Sequence, residues 1–124
     1  MKILVIGAGG MVGAKLIKRL CADGKLGEAS ISAIIRHDVV LSPPPPESSF
    51  PIETLMGDLS VPGEAEKLVG LRPDVIYHLA AIVSGEAEAD FEKGYRINLE
   101  GTHLLFEAIR KAGGGYKPKV IFTS

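Results

Sequence analysis

The chain begins with Met1-Lys-Ile-Leu-Val-Ile-Gly-Ala-Gly-Gly-Met-Val-Gly13, and this stretch decides how the rest of the sequence is interpreted. The unbroken apolar run over residues 3–6 is typical of a parallel strand that is buried on both faces. Glycines follow it at positions 7, 10 and 13. Apolar residues then recur at helical spacing, namely Val12, Leu16, Ile17 and Leu20. The stretch therefore predicts a strand, a glycine-rich turn and an amphipathic helix in direct succession.

The three glycines suit the binding of a phosphate group at the helix N-terminus. Gly7 permits a tight turn, Gly10 leaves the backbone open to a ligand, and Gly13 allows the helix to pack closely on its strand. The pattern is Gly-x-x-Gly-x-x-Gly, whereas the commoner Gly-x-Gly-x-x-Gly would need a glycine at Val12. A glycine-rich turn that binds no ligand is the alternative interpretation.

Length and composition bound the class of protein. The chain has 124 residues, 46% of them hydrophobic, which is enough for one domain with a sizeable core. A net charge of -1 gives no reason to expect a nucleic-acid partner or an anionic membrane surface. Cys21 is the only cysteine, so neither a disulfide framework nor a cysteine-rich metal site is available, and no metal is expected. A reduced cytoplasm is the expected compartment for a chain with this cysteine content. No apolar run approaches membrane-spanning length.

Strand and helix patterns alternate along the rest of the chain. Further strands are predicted over 31–35, 52–56, 75–79 and 119–123, and helices over 11–22, 62–69 and 87–112. A polar connector over 24–30 and an exposed loop of polyproline character over 41–49 lie between them. The alternation predicts an α/β fold with a parallel sheet, right-handed crossovers and helices on both faces. Analogy with dinucleotide-binding halves gives the strand order 3-2-1-4-5.

Two aspartates follow strands at the sheet edge that the glycine turn is expected to occupy. Asp38 comes after the second strand, where an acidic residue can bond the adenosine ribose hydroxyls of a dinucleotide, although the 24–30 connector places it further from Gly7 than usual. A solvated aspartate in a turn is the alternative. Asp58 follows the third strand and could accept a hydrogen bond from an adenine amino group. It could also cap the next helix, and the two roles are compatible.

The predicted fourth strand ends in small residues, Ala80 and Ala81, which would let a flat ligand approach the backbone. We expect His78 to be a packed strand histidine rather than an acid or base, because no second histidine, cysteine or carboxylate stands at ligand spacing near it. Ser84 in the following loop could reach a substrate. Asn98 falls on the buried stripe of the long helix and could bond the loop after Ala80.

Five motifs span the whole chain. They are Gly-Ala-Gly-Gly-Met-Val-Gly at 7–13, Gly-Asp-Leu at 57–59, His-Leu-Ala-Ala at 78–81, Asn-Leu-Glu-Gly-Thr at 98–102 and Val-Ile-Phe-Thr-Ser at 120–124. In this order they resemble the extended short-chain dehydrogenases, the sugar-nucleotide epimerase and dehydratase group. Within that family, the stretches 78–95 and 37–40 are most similar to members that oxidise a sugar acid with a nicotinamide cofactor.

The resemblance implies a Rossmann-type doubly wound sheet and a role for each matched position. Cofactor contacts would come from Gly7, Gly10, Met11, Val12 and Gly13 at the pyrophosphate, Asp38 at the ribose, Asp58 and Leu59 at the adenine, and Leu79, Ala80, Ala81, Asn98 and Ser124 near the inner ribose and the end of the fifth strand. NAD is expected rather than NADP, because Asp38 would repel a 2′-phosphate, although Arg36 could pair with that phosphate. A small-molecule substrate and a homodimer of the full-length enzyme are also implied.

The family's reaction uses a serine or threonine after the fifth strand and a Tyr-x-x-x-Lys pair on the next helix, with the tyrosine as base. None of the three tyrosines of this chain is followed four residues later by lysine, so no catalytic residue is assigned. We interpret residues 1–124 as the N-terminal part of a Rossmann domain, truncated after the fifth strand. Two classes stay open. One is part of an NAD-dependent oxidoreductase acting on a sugar acid, with a sugar-nucleotide epimerase as its sibling; the other is a non-catalytic dinucleotide-binding module or sensor.

Overall fold

The computed structural model of the protein describes residues 1–40, 44–79 and 91–122, with the backbone alone over 91–99. The strands within these ranges, β1 to β7, are Lys2–Ile6, Lys25–Leu26, Ala29–Ser30, Ala33–Asp38, Ile52–Met56, Val75–His78 and Lys119–Phe122. The helices α1 to α3 are Met11–Asp23, Glu64–Gly70 and Phe91–Ala112. None of these three helices is long and apolar enough to cross a membrane.

Five strands form one parallel sheet in the order β5-β4-β1-β6-β7. These are the third, second, first, fourth and fifth strands of the predicted set, so the α/β class and the order 3-2-1-4-5 are confirmed. Strand β1 lies at the centre, with Ile3 opposite Ile34 of β4 and Val75 of β6. Its central position explains the unbroken apolar run, because residues 3–6 are at most 1% exposed.

The described chain comprises two compact units, and the first contains the sheet and α1. This unit spans Met1–Gly57, Pro73–Leu79 and Pro118–Ser124. Its core joins alternate residues of the central strands to the apolar face of α1; the members are Ile3, Val5, Ala8, Ile17, Leu20, Ile31, Ile34, Phe50 and Val75. Helix α1 ends at Gly24, whose φ of 68° lets its amide donate to the Leu20 carbonyl. The helix predicted over 11–22 is thus observed one residue longer.

The second unit spans Asp58–Arg72 and Ala80–Lys117 and contains α2 and α3, which pack against each other. Leu68 and Leu105 are fully buried. Gly101 lies beside Leu59, where an added Cβ would stand 3.3 Å from Leu59 Cδ2. Helix α3 ends before three glycines, 113–115, which all have positive φ. The predicted end of the long helix at residue 112 is confirmed.

Two predicted elements differ from the observed ones. The connector over 24–30 contains a short antiparallel hairpin in which β2 pairs with β3, and strands of two residues are too short to show a periodic pattern. The second long strand, predicted over 31–35, is observed as Ala33–Asp38. Arg36 and His37 therefore lie inside the sheet, at 6% and 2% exposure, rather than after the strand. Because arginine and histidine are polar, the sequence pattern did not predict that they are buried.

Candidate functional site

The glycine turn, residues 7–10, connects β1 to α1 at the carboxyl edge of the sheet. Gly7 has a φ of 89°, a backbone angle that residues with a side chain rarely adopt. At Gly13 an added Cβ would stand 2.6 Å from the Gly7 carbonyl oxygen and 2.8 Å from Ala8 Cα, so helix and turn touch there. At Gly10 an added Cβ would meet only the Gly7 oxygen, at an ordinary 3.6 Å. Local backbone and packing thus account for Gly7 and Gly13, while the space beside the exposed Gly10 is open to a ligand.

The end of β4 holds the first three amides of this turn. The carbonyl of His37 accepts hydrogen bonds from the amides of Gly7, at 2.8 Å, and Ala8, at 3.1 Å. Oδ2 of Asp38 accepts from the amide of Gly9 at 2.7 Å. Hydrogen bonds within the protein therefore fix the turn to the neighbouring strand without any ligand.

The amides at the start of α1 are placed differently. Ala14 is the first residue whose amide donates to a helical carbonyl, that of Gly10, at 2.9 Å. By position, the amides of Met11, Val12 and Gly13 precede the helical ladder. Gly10 is the N-cap and has no side chain to accept from them, and the first turn carries no acidic residue. Three such amides at the positive end of a helix dipole can bind phosphate oxygens.

Asp38 is the last residue of β4 and is half-buried. Each of its oxygens accepts one backbone bond, Oδ2 from Gly9 and Oδ1 from Val39 at 2.6 Å. A carboxylate offers about four acceptor positions, so about two remain for donors such as ribose hydroxyls. The predicted placement at the strand end, on the edge of the glycine turn, is confirmed. The contact of Asp38 with the adenosine ribose stays a prediction.

Arg36 makes a side-chain contact across two neighbouring strands of the sheet. Its guanidinium donates from Nε and Nη2 to Oγ1 of Thr54, at 3.0 and 2.7 Å. The two residues lie opposite each other on β4 and β5. The contact uses two of the five N–H donors of the guanidinium.

Asp58 and Leu59 belong to the second unit. Oδ1 of Asp58 accepts from the amide of Ser60 at 2.9 Å and from its hydroxyl at 2.7 Å, which closes a local turn. The possible additional role of Asp58 as the cap of α2 is wrong: the N-cap is Gly63, and residues 59–63 separate Asp58 from the helix. Leu59 is 7% exposed and packs beside Gly101. The adenine contacts assigned to both residues stay predictions.

Strand β6 ends at His78, and the amide of Leu79 continues the pairing by donating to the Ile6 carbonyl at 2.8 Å. His78 is 5% exposed, and its ring centroid lies 5.3 Å from that of Phe122 on β7. Burial lowers the pKa of the His78 imidazole from its usual value. The prediction of a packed strand histidine is confirmed.

Several predicted residues lie outside the described part of the chain: Ala80, Ala81, Ser84, Ser124, the side chain of Asn98, and residues 41–43 of the polyproline loop. Their roles stay predictions. Among the side chains that the structure describes, no group of three or more histidines, cysteines, aspartates or glutamates could hold a metal ion.

The sequence did not reveal the carbonyl of His37 or the amide of Gly9 as parts of this site. Both are backbone groups, which leave no side-chain signal. Their meeting depends on the register of β1 and β4, in which Ile6 lies opposite His37. A strand predicted to end at residue 35 could not have indicated it.

Known proteins resemble the chain over its whole length. The D-erythronate dehydrogenase of Cupriavidus necator is 33% identical over 126 residues, and that of Haemophilus influenzae is 34% identical over 124 residues. Each alignment covers all of this chain and 38% of the relative. The chain thus spans well under half the length of these relatives.

A solved structure also matches this chain over its whole length and is itself much longer. The nucleoside-diphosphate-sugar epimerase from Agrobacterium tumefaciens is 59% identical and superposes with a TM-score of 0.91, over 100% of this chain and 37% of that one. Residues 3–124 match the model of the NAD dependent epimerase/dehydratase family. The resemblance drawn from the five motifs is therefore confirmed, and the chain belongs to the NAD dependent epimerase/dehydratase family.

Proposed function

We propose that this chain is the NAD-binding part of an NAD-dependent oxidoreductase and that it binds the dinucleotide at the start of α1. One observation carries the proposal: the amides of residues 7–9 are held by the end of β4, which leaves those of Met11, Val12 and Gly13 for the pyrophosphate. The open space beside Gly10 fits the same ligand, because the pyrophosphate must approach the backbone closely there.

Asp38 takes the adenosine ribose in this proposal. Its two oxygens retain acceptor positions, and its charge opposes a 2′-phosphate. Arg36, the cation that could pair with such a phosphate, is 6% exposed and donates two hydrogen bonds to Thr54. These contacts support a preference for NAD over NADP.

The remaining assignments follow the family resemblance. They are Asp58 and Leu59 at the adenine, Leu79, Ala80 and Ala81 at the inner ribose, and Asn98 and Ser124 beside that region. Bound NAD supplies a hydride acceptor, while the residues of this chain bind and orient it. No residue among the 124 is proposed as the base that removes the substrate proton, because none of the tyrosines has a lysine four positions later. Residues 1–124 alone are therefore not expected to oxidise a substrate, and they are proposed to form one dinucleotide-binding domain.

For the whole protein we propose oxidation of a secondary alcohol in a small sugar acid. The two relatives named D-erythronate dehydrogenase support this reaction. A sugar-nucleotide epimerase is the second candidate, favoured by the 59% identity to the structure from Agrobacterium tumefaciens. A homodimer and a cytoplasmic location are proposed with the same resemblance.

Turnover by the complete polypeptide that carries these residues separates the candidates. A dehydrogenase given NAD and D-erythronate accumulates NADH, which absorbance follows. An epimerase interconverts a sugar nucleotide such as UDP-glucose without net NADH, which product chromatography follows. NAD binding without either turnover supports a non-catalytic module. Tighter binding of NADP than of NAD would contradict the role of Asp38, and binding of neither would contradict the dinucleotide site itself.

A further inference from the structure

We propose that Asp38 is a positioning residue for the glycine turn as well as a ribose ligand, so that one carboxylate links ribose recognition to order at the phosphate site. The inference rests on the proposed NAD-binding function and deepens it. It comes from the contacts of the carboxylate within the protein, independently of any contact with a ligand.

Three hydrogen bonds attach the turn to β4, and a side chain makes one of them. The carbonyl of His37 holds Gly7 and Ala8, and any residue at position 37 would supply that carbonyl. The bond to Gly9 comes from Oδ2 of Asp38 at 2.7 Å. Gly9 is exposed and immediately precedes Gly10, the N-cap of α1. The carboxylate therefore fixes the residue from which the chain enters the phosphate-binding helix.

The same carboxylate is held in orientation by its second oxygen. Oδ1 accepts from the amide of Val39 at 2.6 Å while Oδ2 holds Gly9. Because both oxygens are bonded to backbone, the group cannot rotate away from an incoming 2′-phosphate without releasing Gly9. Hydrogen bonds to an ionised acceptor are roughly twice as strong as neutral ones. Rejection of NADP and order in the turn thus depend on one group.

A consequence follows for cofactor preference. A neutral residue at position 38 removes the repulsion of a 2′-phosphate, but it also removes the acceptor that holds Gly9. Substitution of Asp38 alone should therefore weaken binding of the pyrophosphate in either cofactor. It should not turn an NAD-binding protein into one that binds NADP as tightly.

Binding of ADP and of 2′,3′-dideoxy-ADP to the complete polypeptide separates the two roles of Asp38. The dideoxy ligand keeps the adenine and the diphosphate but has no ribose hydroxyls, so loss of a residue that only binds the ribose cannot weaken its binding. We expect calorimetry to show dideoxy-ADP binding weakened about tenfold by Asp38→Ala. Coulomb interactions act in the opposite direction, since loss of a carboxylate favours an anion. A weaker complex therefore reports lost order in the turn.

Two further variants make the measurement specific. Asp38→Asn keeps one oxygen that can accept from Gly9, so it should lose less affinity than Asp38→Ala. Asp74→Ala is the matched control, because Oδ2 of Asp74 also accepts a backbone amide bond, from Lys2 at 2.8 Å, at the amino edge of the sheet. Its affinity for both ligands should equal that of the wild type. Hydrogen exchange without ligand gives a second readout: the peptide that contains Gly9 should exchange faster in Asp38→Ala than in the wild type.

Dideoxy-ADP affinity that is unchanged or higher in Asp38→Ala, with ADP still bound by the wild type, would overturn the positioning role and leave the proposed function standing. If Asp38→Ala does not fold, the same criterion applies to Asp38→Asn. Failure of the wild type to bind ADP would contradict the proposed function, and the inference with it.

Discussion

The amino and carboxyl edges of the five-stranded sheet each contain an aspartate that accepts a hydrogen bond from the backbone amide of a residue distant in sequence, and the two bonds have nearly the same length. Asp74 accepts from Lys2 at 2.8 Å at the amino edge, and Asp38 accepts from Gly9 at 2.7 Å at the carboxyl edge. Asp74 joins a loop to the first residue of a strand, whereas Asp38 joins a strand end to the turn that opens α1. Of the two edges, the carboxyl edge adds helix amides that precede the hydrogen-bond ladder, so the same contact there would serve the anion site that we propose.

The amino edge is closed by backbone pairing. The terminal ammonium of Met1 donates to the Ser30 carbonyl at 2.9 Å, and the amide of Ser32 donates to the Met1 carbonyl at 2.8 Å. The amide of Asp74 donates to the carbonyl of Lys2 at 2.8 Å, and its own carbonyl accepts from Lys119 at 3.0 Å. These bonds predict a stabilising role for the amino edge, and substitutions can test how far the two edges differ.

The largest effect is expected from Gly13→Ala at the carboxyl edge. The added methyl would stand 2.6 Å from the Gly7 oxygen, a backbone atom that cannot rotate away, so helix and turn must separate. We expect the free energy of unfolding to fall by about 3 kcal/mol, measured by urea denaturation, and NAD binding to be lost. Gly70→Ala is the control, because an added Cβ there meets nothing within 4 Å. Equal stability of the two variants would contradict the close packing at Gly13.

Gly10→Val should separate binding from stability at the same edge. The N-cap backbone, with φ -77° and ψ 170°, accepts a branched side chain, and the nearest contact is an ordinary 3.6 Å. We expect the free energy of unfolding to change by less than about 1 kcal/mol. The valine would fill the space of the pyrophosphate, so calorimetry should show NAD affinity reduced by about tenfold or more. Wild-type affinity in this variant would place the dinucleotide elsewhere.

Asp74→Ala tests the amino edge. Loss of its bond to Lys2 should reduce the free energy of unfolding by about 1 kcal/mol, as expected of one exposed hydrogen bond. NAD affinity should equal that of the wild type, because no anion site lies near this aspartate in the proposal. Denaturation and calorimetry on the same preparation give both quantities, and a large fall in affinity would remove the distinction between the edges.

Substitution of His78 should have the smallest effect, a change in the pH dependence of the free energy of unfolding. Burial lowers the pKa of its imidazole in the folded protein below the ordinary value of 6.5. As the pH falls below about 6.5, the unfolded chain binds this proton first, so stability is lost in that window and is fully present above it. His78→Gln should flatten the decline by at most about 1.4 kcal/mol per pH unit, and the exposed His103→Gln should not. Parallel declines in the wild type and His78→Gln would contradict the burial argument.

Local signals predicted much of this molecule, and long-range contacts account for the rest. The apolar run over 3–6 and the glycine spacing identify the central strand and its turn, because both patterns are continuous in the sequence. Arg36 was expected after a strand but lies within one. Its position was not predicted because its bonds to Thr54 join two separate segments of the chain. A possible role of Asp58 as the cap of α2 was inferred from the sequence, but the observed cap is Gly63. The hydrogen bonds of His37 and Asp38 to the turn depend on the register of the strands, which no single segment of the sequence specifies.

Backbone amide NMR during titration of the complete polypeptide with NAD tests most directly whether the start of α1 binds the dinucleotide. The amides of Met11, Val12 and Gly13 should show the largest saturable shifts, since they are proposed to donate to the pyrophosphate. The amide of Lys2, bonded to Asp74 at the opposite edge, should keep its position. Saturable binding that leaves the three helix amides unshifted, or that shifts Lys2 in their place, would contradict NAD binding at the carboxyl edge.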